Sequence, residues 1–556
     1  MNQSTMNTSR SVPVVLFPRR QHRLAAMLAV LWVAAPAWSQ VAPTQIDSAA
    51  LQRQEAERRR FLNEQAPPAA PAPAVIRDET REQAKPAPAS GPKFMLQQVV
   101  FGESAFLSKD ELAAIAARYV GREADFALLT SMVEEVNARY RAHGVVTARA
   151  VIGAQKIQNG VVRIDLVEAR LAGVSVAGAT YTSKAFVAEW FAPQQGKTLV
   201  VGDLEQQIKR FNRSGELQIE AGLRPGASVG QTDMLLTVRE PKRLQLRAFA
   251  GNEGARSIGE AQVGFDAAVN GPLGLGDRAS VYVSRSRGAT SGTFSYAVPI
   301  NHLGGRLTET YSDSVTDIVA GPYRELGISG RSKSVQIGVT QPLWRTGGWW
   351  FDLGATAGKT RSRNQVGALE LSRTSILNQS LVASAAGTFE QRTVNLGLTV
   401  THATEQSATG QERSFNLRQL SGSWAETMGA KQFALLRASV QDTSVVNLSP
   451  SLLFQLGGTG TVRGYEAGAL SGDRGYLLNL ELHRALRENV DAYVFADAGE
   501  VRTTGVPRQR AHSAGVGTDF QLGAKMRGNI TAARALKKVM PDQSDWRVTG
   551  RVSYEF

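Results

Sequence analysis

The chain has 556 residues, no cysteine, a hydrophobic fraction of 42% and a net charge of +14. That length carries several domains, and the lack of cysteine excludes disulfide scaffolds and thiolate metal sites. The positive charge is spread along the chain rather than gathered in one stripe, which argues against a nucleic-acid partner and points to acidic partners, lipopolysaccharide or a polar pore lining.

Arg19, Arg20 and Arg23 precede the apolar run LAAMLAVLWVAA (24–35), which is followed by Pro36 and the small-residue pattern Ala37-Trp38-Ser39. Basic region, short apolar region and small residues predict a secretory signal peptide over 1–39. An anchor helix would need about 20 apolar residues. No later run approaches that length, although strands of about 9–11 alternating residues also cross bilayers. Residues 40–65 contain TQIDSAALQRQEAERRRFLNEQ, strong in helix formers, with Ile46, Leu51, Phe61 and Leu62 as its few apolar positions. A helix polar nearly all round has no core-facing stripe, so it stands in solvent or sits in a polar cavity. Residues 66–93 read as a Pro/Ala-rich linker, extended and poor at packing. The tethered helix is therefore either a movable part or a disordered tail.

Residues 94–169 predict strand, helix, helix, strand, strand. FMLQQVVF opens the unit, and Ser108 with Glu111 forms a capping box at the first helix. Phe126, Leu129, Val133, Val136 and Tyr140 share one face of the second helix, which stops at Gly144. VVTARAVI and VVRIDLVEA follow as a hairpin around Asn159-Gly160. Residues 170–241 repeat the order: LAGVSVAG, then SKAFVAEWF, then a helix capped by Asp203 and carrying Leu204, Ile208 and Phe211, then LQIEAGL and DMLLTVRE. Two successive units of one pattern indicate an internal duplication.

From residue 242 helical periodicity gives way to alternation. In WRVTGRVSYEF, Trp546, Val548, Gly550, Val552, Tyr554 and Phe556 face one way and Arg547, Thr549, Arg551, Ser553 and Glu555 the other. Many strands with an apolar face and a face of Arg, Thr, Ser, Gln and Asp suit lipid outside and a wet lumen inside. The 314 residues from 243 to 556 divide into about 16 strands of about 20 residues including loops, with 14 or 18 also accommodated. Backbone groups facing lipid must all be paired, so the sheet must close into a transmembrane β-barrel. Terminal Tyr554 and Phe556 suit a C-terminal assembly signal.

Catalytic and metal constellations are not visible in the sequence. The 6 histidines are scattered without ligand spacing, and no metal, cofactor or enzymatic activity is expected. Gly226-Ala-Ser228-Val-Gly230 matches G-x-S-x-G, but it lies between two strands, whereas a nucleophile elbow needs a helix after it.

With these parts in order, the chain resembles the TpsB transporters of two-partner secretion, the haemolysin and filamentous haemagglutinin secretion proteins. In the first unit Tyr140, Gly144, Thr147 and Arg149 resemble the family's helix-to-strand signature, with Gln155 and Gly160 placed accordingly. In the second, Asp203, Asn212, Arg213 and Leu223-Arg-Pro225-Gly226 match, while Ser214-Gly215 stands where relatives have Pro-Gly. The most specific matches are Val462-Arg463-Gly464-Tyr465, similar to the family's VRGY loop motif, and Phe495-Ala-Asp497-Ala-Gly499, similar to its F-x-D-x-G strand motif.

The resemblance implies a 16-stranded barrel, two periplasmic POTRA domains and a pore-plugging N-terminal helix. It implies a secreted TpsA-type exoprotein (haemolysin, adhesin or haemagglutinin-like) as client, moved without ATP, and the barrel-assembly machinery as a partner in biogenesis. A barrel-assembly factor of the same superfamily and a passive porin are the competing readings. On VDAYVFADAG, Asp491, Tyr493, Phe495 and Asp497 share the lumenal parity. The glycine-rich loop 457–476 is therefore expected to fold inward and bring Arg463 to Asp497 as a two-bond guanidinium–carboxylate pair.

Overall fold

The computed structural model describes residues 47–64, 75–78, 92–145, 147–540 and 543–556. The expected signal peptide, the start of the polar segment and most of the linker lie outside the described residues. The polar segment forms helix α1 (Ser48–Glu64). From the linker, Ile76–Asp78 forms strand β1.

The first unit comprises β2 (Phe94–Met95), β3 (Gln98–Phe101), α2 (Lys109–Ala116), β4 (Glu123–Ala124), α3 (Phe126–Ala142), β5 (Ala148–Val151) and β6 (Val161–Glu168). Its main sheet runs β3-β6-β5. Leu112, Ile115, Leu129, Met132, Val136 and Tyr140 of the helices pack on Val162 and Ile164 of the sheet. Phe126, expected on that face, is instead exposed at the helix start, just after the N-cap Asp125. Asn159 and Gly160 do take left-handed φ of 53° and 68°, but they close a bridge between Gln158 and Val161. The β5–β6 connection is longer than the expected two-residue turn, and the Gln155 side chain satisfies the backbone of Arg163 from both sides.

The second unit comprises β7 (Arg170–Ala177), α4 (Lys184–Phe191), α5 (Val201–Ser214), β8 (Gln218–Pro225) and β9 (Gln231–Arg239). Val187, Trp190 and Phe191 of α4 and Leu204, Ile208 and Phe211 of α5 pack on Ile219, Leu223, Met234 and Leu236. Two expectations are corrected here. Asp203 does not cap α5; Val200 occupies the cap with no side-chain bond, and Asp203 sits in the first turn, where a carboxylate still favours the helix dipole. The linker is not wholly unpacked, because β1 adds in parallel to β8, Ile76 opposite Ala221, giving the order β1-β8-β9-β7. Gly226–Gly230 is the β8–β9 turn, with Gly226 N–H donating to Gln231 O at 2.9 Å. Ser228 therefore sits in a hairpin and no helix follows it.

The barrel begins with β10 (Leu244–Gly251). Strands β11–β19 are Gln262–Asn270, Arg278–Ser286, Ala289–Pro299, Arg306–Asp317, Ile328–Thr346, Trp349–Val366, Leu369–Thr388, Arg392–Ser407 and Glu412–Thr427. β20 (Gln432–Thr443) is followed by a loop bearing the short hairpin β21 (Phe454–Leu456) and β22 (Leu470–Gly472). β23 (Arg474–Arg487), β24 (Val490–Arg502), β25 (Gln509–Leu522), β26 (Met526–Ala535) and β27 (Trp546–Glu555) complete the wall. Sixteen antiparallel strands close by β10 pairing with β27, Arg247 opposite Glu555 through Gly251 opposite Arg551.

Alternation sets the two faces. Val281, Val283, Leu353, Leu396, Leu398, Leu478, Leu480, Leu482, Val494 and Val548 stand exposed on the outside. Inside, hydroxyl pairs such as Thr293/Ser312, Ser295/Thr310 and Ser380/Thr401 meet across strands at 2.9–3.1 Å. An apolar exterior around a polar lumen is the pattern of a barrel in lipid. No helix among the described residues is long and apolar enough to cross a membrane, so the crossing is made by strands.

The second unit is docked on one end of this barrel. Arg213 grips Asp352 through two bonds of 2.6 Å and stacks over Trp350 at 4.7 Å. Ser183 N–H donates to Gly274 O at 2.8 Å, and Arg306 reaches Ser214 O. The opposite end of the barrel is therefore the one facing away from the POTRA side.

The α2 cap offers a direct check of local physics. Ser108 Oγ accepts from Glu111 N–H at 3.2 Å, and Glu111 Oε2 accepts from Ser108 N–H at 2.9 Å. The Ser108 backbone N–H, then the His143 ring and the Ser108 hydroxyl, hold the Glu111 carboxyl down to about 2. A depressed carboxylate contributes stability above its unfolded range that is lost as pH falls toward its folded value. Hydrogen exchange at α2 should thus lose protection as pH drops from about 4.5 to about 2. Glu111→Gln should remove that pH dependence, and Ser108→Ala should weaken the cap by about 1 kcal/mol at neutral pH.

Candidate functional site: an ion-paired loop and a helix inside the barrel

The loop between β20 and β23 starts at the end of the barrel remote from POTRA and folds back into the lumen. Its core is apolar where it meets the wall: Leu456, Val462, Tyr465, Ala469 and Leu470 pack with Leu477, Val501, Ala511 and Ala535. Gly464 sits where a Cβ would lie 2.8 Å from both Ser513 Cβ and Ala535 N, and at Gly499 a Cβ would lie 2.8 Å from the Leu456 methyls. Both glycines allow the loop to approach the wall closely. Tyr465 fixes the loop laterally, its hydroxyl donating to Lys537 O at 2.7 Å and accepting from His512 N–H at 3.2 Å.

Arg463 is 3% exposed at the centre of this contact. Its Nε and Nη2 donate to Asp497 Oδ2 and Oδ1 at 3.0 and 2.6 Å, and its backbone N–H donates to Oδ2 at 3.0 Å. Asn479 Nδ2 and Ser513 Oγ complete the carboxylate's shell at 2.8 and 2.9 Å. The remaining Nη1 donates to Glu481 Oε1 at 2.9 Å, and the guanidinium lies 3.5 Å over the Phe495 ring. Glu481 also accepts from Arg437 at 3.2 Å and faces His483 Nε2 at 2.8 Å, while His483 Nδ1 faces Asp491 at 2.7 Å. A chain of ionisable groups thus runs down β20, β23 and β24 beneath the loop. Sequence spacing gave no ligand set, yet the fold brings donor atoms of His483, Asp491 and Asp519 within 4.8 Å of one another, a group able to hold a cation.

The wall supports this chain through register. Asn479 is directly opposite Asp497, which is opposite Ser513, so three neighbouring strands aim polar groups at one point. Tyr493 and Phe495 lie flat across Gly517 and Gly515 of β25, where any side chain would strike the rings.

Helix α1 occupies the lumen beside the loop. Asp47 caps it, accepting from Ala49 and Ala50 N–H at 3.0 and 2.9 Å, and is held by Asn364 of the wall at 2.9 Å. Arg58, buried, binds Glu253 at 2.9 Å and Gln262 at 2.6 Å, and pairs with Glu55, which accepts from Tyr282 at 2.6 Å. Helix and loop also touch: Gln54 donates to Gln455 at 2.5 Å and Arg53 to Ser451 O at 2.9 Å. Leu51 joins a small apolar cluster with Ala255, Ile258 and Ile328. Of the two sequence alternatives for a helix without a core, the structure adopts the polar cavity.

The structure brings Val462, Arg463, Gly464 and Tyr465 together with Phe495, Asp497 and Gly499, and places the other candidates elsewhere. Tyr140 is buried in the first unit, bonded to Ser104 and Glu168 at 3.1 and 3.0 Å, and burial pushes its phenol above the usual range. Gly144 and Thr147 lie at the joint between units: Val201 N–H donates to Gly144 O at 2.8 Å and Leu199 N–H to Thr147 Oγ1 at 3.3 Å. Arg149 is exposed on β5, pairing in register with Val167. Asn212 accepts from Ile219 N–H at 2.8 Å, tying α5 to β8. At the C-terminus Phe556 N–H donates to Leu246 O at 3.0 Å, and the exposed Tyr554 and Phe556 rings meet edge to face. Glu481, Asn479, Ser513 and Arg437 were not anticipated. Asn479, Glu481 and His483 alternate with three leucines in YLLNLELH, and that parity was the available signal.

The sequence profile of the haemolysin secretion/activation proteins ShlB/FhaC/HecB matches residues 230–522, more than half of the chain. The chain belongs to this secretion family. The profile of the ShlB-type POTRA domain matches residues 94–169. Among relatives, the outer membrane transporter CdiB of Dickeya dadantii is 27% identical over 204 residues, 36% of each chain, so the match spans about a third of that relative. The haem/hemopexin transporter protein HuxB of Haemophilus influenzae is 22% identical over 417 residues, 71% of this chain and 73% of HuxB. The solved structure of CdiB from Escherichia coli shares the fold, with a TM-score of 0.65 at 22% identity over 94% of this chain and all of that one. The family is one of secretion proteins rather than enzymes, and its barrel lies in the outer membrane with POTRA on the periplasmic side.

The buried contacts yield an expectation about the loop. Truncating one partner of a buried ion pair costs about 3–5 kcal/mol, because the other charge is left unpaired. Arg463→Ala in an intact barrel should therefore make residues 457–472 accessible to protease. Arg463→Lys should rescue only weakly, since an ammonium cannot span both Asp497 oxygens and Glu481 at once. Protection equal to the parent's in Arg463→Ala would refute this.

Proposed function

We propose that the protein is an outer-membrane transporter of two-partner secretion. Its POTRA units take up an unfolded exoprotein of the TpsA type in the periplasm, and the barrel lumen passes it to the surface without ATP. The observation carrying this reading is how the lumen is filled. Two elements occupy it, a tethered helix and a glycine-rich loop, and each is anchored to the wall through side-chain hydrogen bonds and ion pairs. Polar anchors can be exchanged one at a time for groups of a passing polar chain, which avoids the cost of leaving a buried charge unpaired. A passive porin has no use for two periplasmic units.

Uptake by POTRA is read as strand addition, in which main-chain bonds tolerate many client sequences. The outer edges of β3 and β5 carry no partner strand among the described residues. The β8 edge is taken by β1, so a client segment adding there would have to displace the linker. The joint at Gly144 and Thr147 and the Arg213–Asp352 clamp hold these edges in a fixed position beneath the pore.

Export of a co-expressed exoprotein, measured in the medium, tests the assignment. Arg463→Ala and Asp497→Ala should leave an inserted barrel yet reduce secretion severely, and deletion of 94–240 should abolish it. Normal secretion by both point variants would sink the reading. Arg58→Ala, which frees α1 from Glu253 and Gln262, should raise single-channel conductance in planar bilayers. Unchanged conductance would show that α1 does not limit the pore.

A further inference from the structure

On the outside of the barrel, at the end remote from POTRA, four strands carry a row of charges immediately above the lipid-facing belt. Alternation fixes its position. Val440 on β20, Tyr476 and Leu478 on β23 and Val494 on β24 stand exposed in the belt. On the same faces, nearer the remote end, come Asp442, Arg474, Arg502 and, on β25, Arg510. A cleft of about 480 Å³ opens here, lined by Arg474, Arg502, Arg508, Thr504, Tyr476 and Val440.

The charges do not balance within the row. Arg474 and Arg502 are directly opposite each other on β23 and β24, and like charges so placed destabilise a sheet. Glu500 is shared by Arg502 and Arg510, the latter at 2.6 Å. Arg474 donates to Thr443 O at 2.6 Å and lies 3.6 Å from Asp442. The Asp473 carboxylate at the cleft is spent on Asn447 and Leu448 N–H at 3.1 and 2.8 Å. Arg508 is exposed and makes no ion pair among the described residues. The Arg474 and Arg502 side chains remain 43% and 46% exposed, and both line the cleft. Guanidinium forks match phosphate oxygens in geometry and charge. The face below is apolar, with Val440, Tyr476 and Leu478 exposed.

We propose that this cleft binds the phosphorylated headgroup of an outer-leaflet saccharolipid, lipopolysaccharide. Arg474, Arg502 and Arg508 take the phosphate, and the Val440–Tyr476–Leu478 surface takes the acyl chains. The neighbouring strands β20, β23 and β24 also carry Arg437, Glu481 and Asp497 on their lumenal faces, so the lipid would brace the wall on which the inner loop is locked. The site lies outside the pore and stands whether or not the client reading holds.

Native mass spectrometry of the full protein in detergent provides the test, with diphosphorylated lipid A, its dephosphorylated counterpart, phosphatidylglycerol and inorganic phosphate as probes. The parent should retain diphosphorylated lipid A, and R474Q/R502Q should bind it about tenfold more weakly. R484Q/R487Q, an equal loss of charge at the POTRA end of the same strand, should bind as the parent does. Heat-modifiable migration on gels confirms that each barrel is folded. Should R474Q/R502Q fail to fold, the probe series on the parent still decides the matter. Equal retention of the dephosphorylated lipid or of phosphatidylglycerol, displacement of lipid A by millimolar inorganic phosphate, or undiminished binding by a folded R474Q/R502Q would each overturn the proposal.

Discussion

The Asp497 carboxylate is the point on which the inside of this barrel is organised. A carboxylate withdrawn from water is tolerated only when its lone pairs are met by donors and its charge by a cation. Here five donors converge: the Arg463 backbone and two of its guanidinium nitrogens, Asn479 and Ser513. Three of the donors come from the loop and one each from the two neighbouring strands, so the shell is complete only when register and loop position are both correct. That makes the pair a device for specificity more than for net stability, since desolvation offsets much of its Coulombic gain. Gly464 and Gly499 serve the same end by permitting the approach that the short bonds require.

The barrel's inverted polarity explains why its fillers are held as they are. With apolar side chains turned to lipid, the lumen offers hydroxyls, amides and charges, and an element placed there must present matching groups. Helix α1 is polar nearly all round and binds through Asp47, Gln54 and Arg58. The loop is more divided, apolar toward the wall near Val501 and Ala535 and ionic at Arg463. The helix therefore rests chiefly on contacts that water can replace, whereas the loop combines such contacts with a small dry core. Release of the helix should cost less than release of the loop, and the two are joined through Gln54–Gln455, Arg53–Ser451 and the packing of Ala467 on the Leu51 cluster.

Much of this was legible in the sequence wherever one physical rule dominated. Alternation gave the barrel and the lumenal parity of Tyr493, Phe495 and Asp497, because in a strand parity alone decides the face. The meeting of Arg463 with Asp497 was reached through motif resemblance combined with that parity. Where two rules competed, the reading failed. Asp203 is a good capping residue, but the entry of the chain from Thr198 and Leu199 places Val200 at the cap. Phe126 fits the helical stripe, yet it follows the N-cap Asp125 in the first turn and stays exposed while Leu129 and Val133 are buried. Glu481 was invisible as a partner because its role depends on β23 lying beside β24 and beneath the loop, a fact of tertiary register. The β1 strand was hidden by its own surroundings, three residues in a Pro/Ala-rich stretch, although Ile76 packs on the core of the second unit and Arg77 pairs with Glu220.

The division between fixed and exchangeable contacts also separates the two ends of the molecule. At the POTRA end the joints are dry or bidentate: Trp190 lies edge-on to His302, the Tyr181 ring covers Gly271, and Arg213 spans Asp352 with two bonds while stacking on Trp350. Between the units, backbone bonds at Gly144 and Val145 join the end of α3 to the start of α5. Backbone pairing of this kind resists rotation better than side-chain contacts, since it fixes direction as well as distance. In the proposed transporter, a chain arriving on the POTRA sheets would meet a platform clamped to the barrel, and the compliance needed for passage would lie above it, in the helix and loop. On the proposed function, recognition falls to the clamped elements and gating to the polar ones. Such a partition would let a client's own binding free energy be used in displacing the fillers rather than in ordering the receptor.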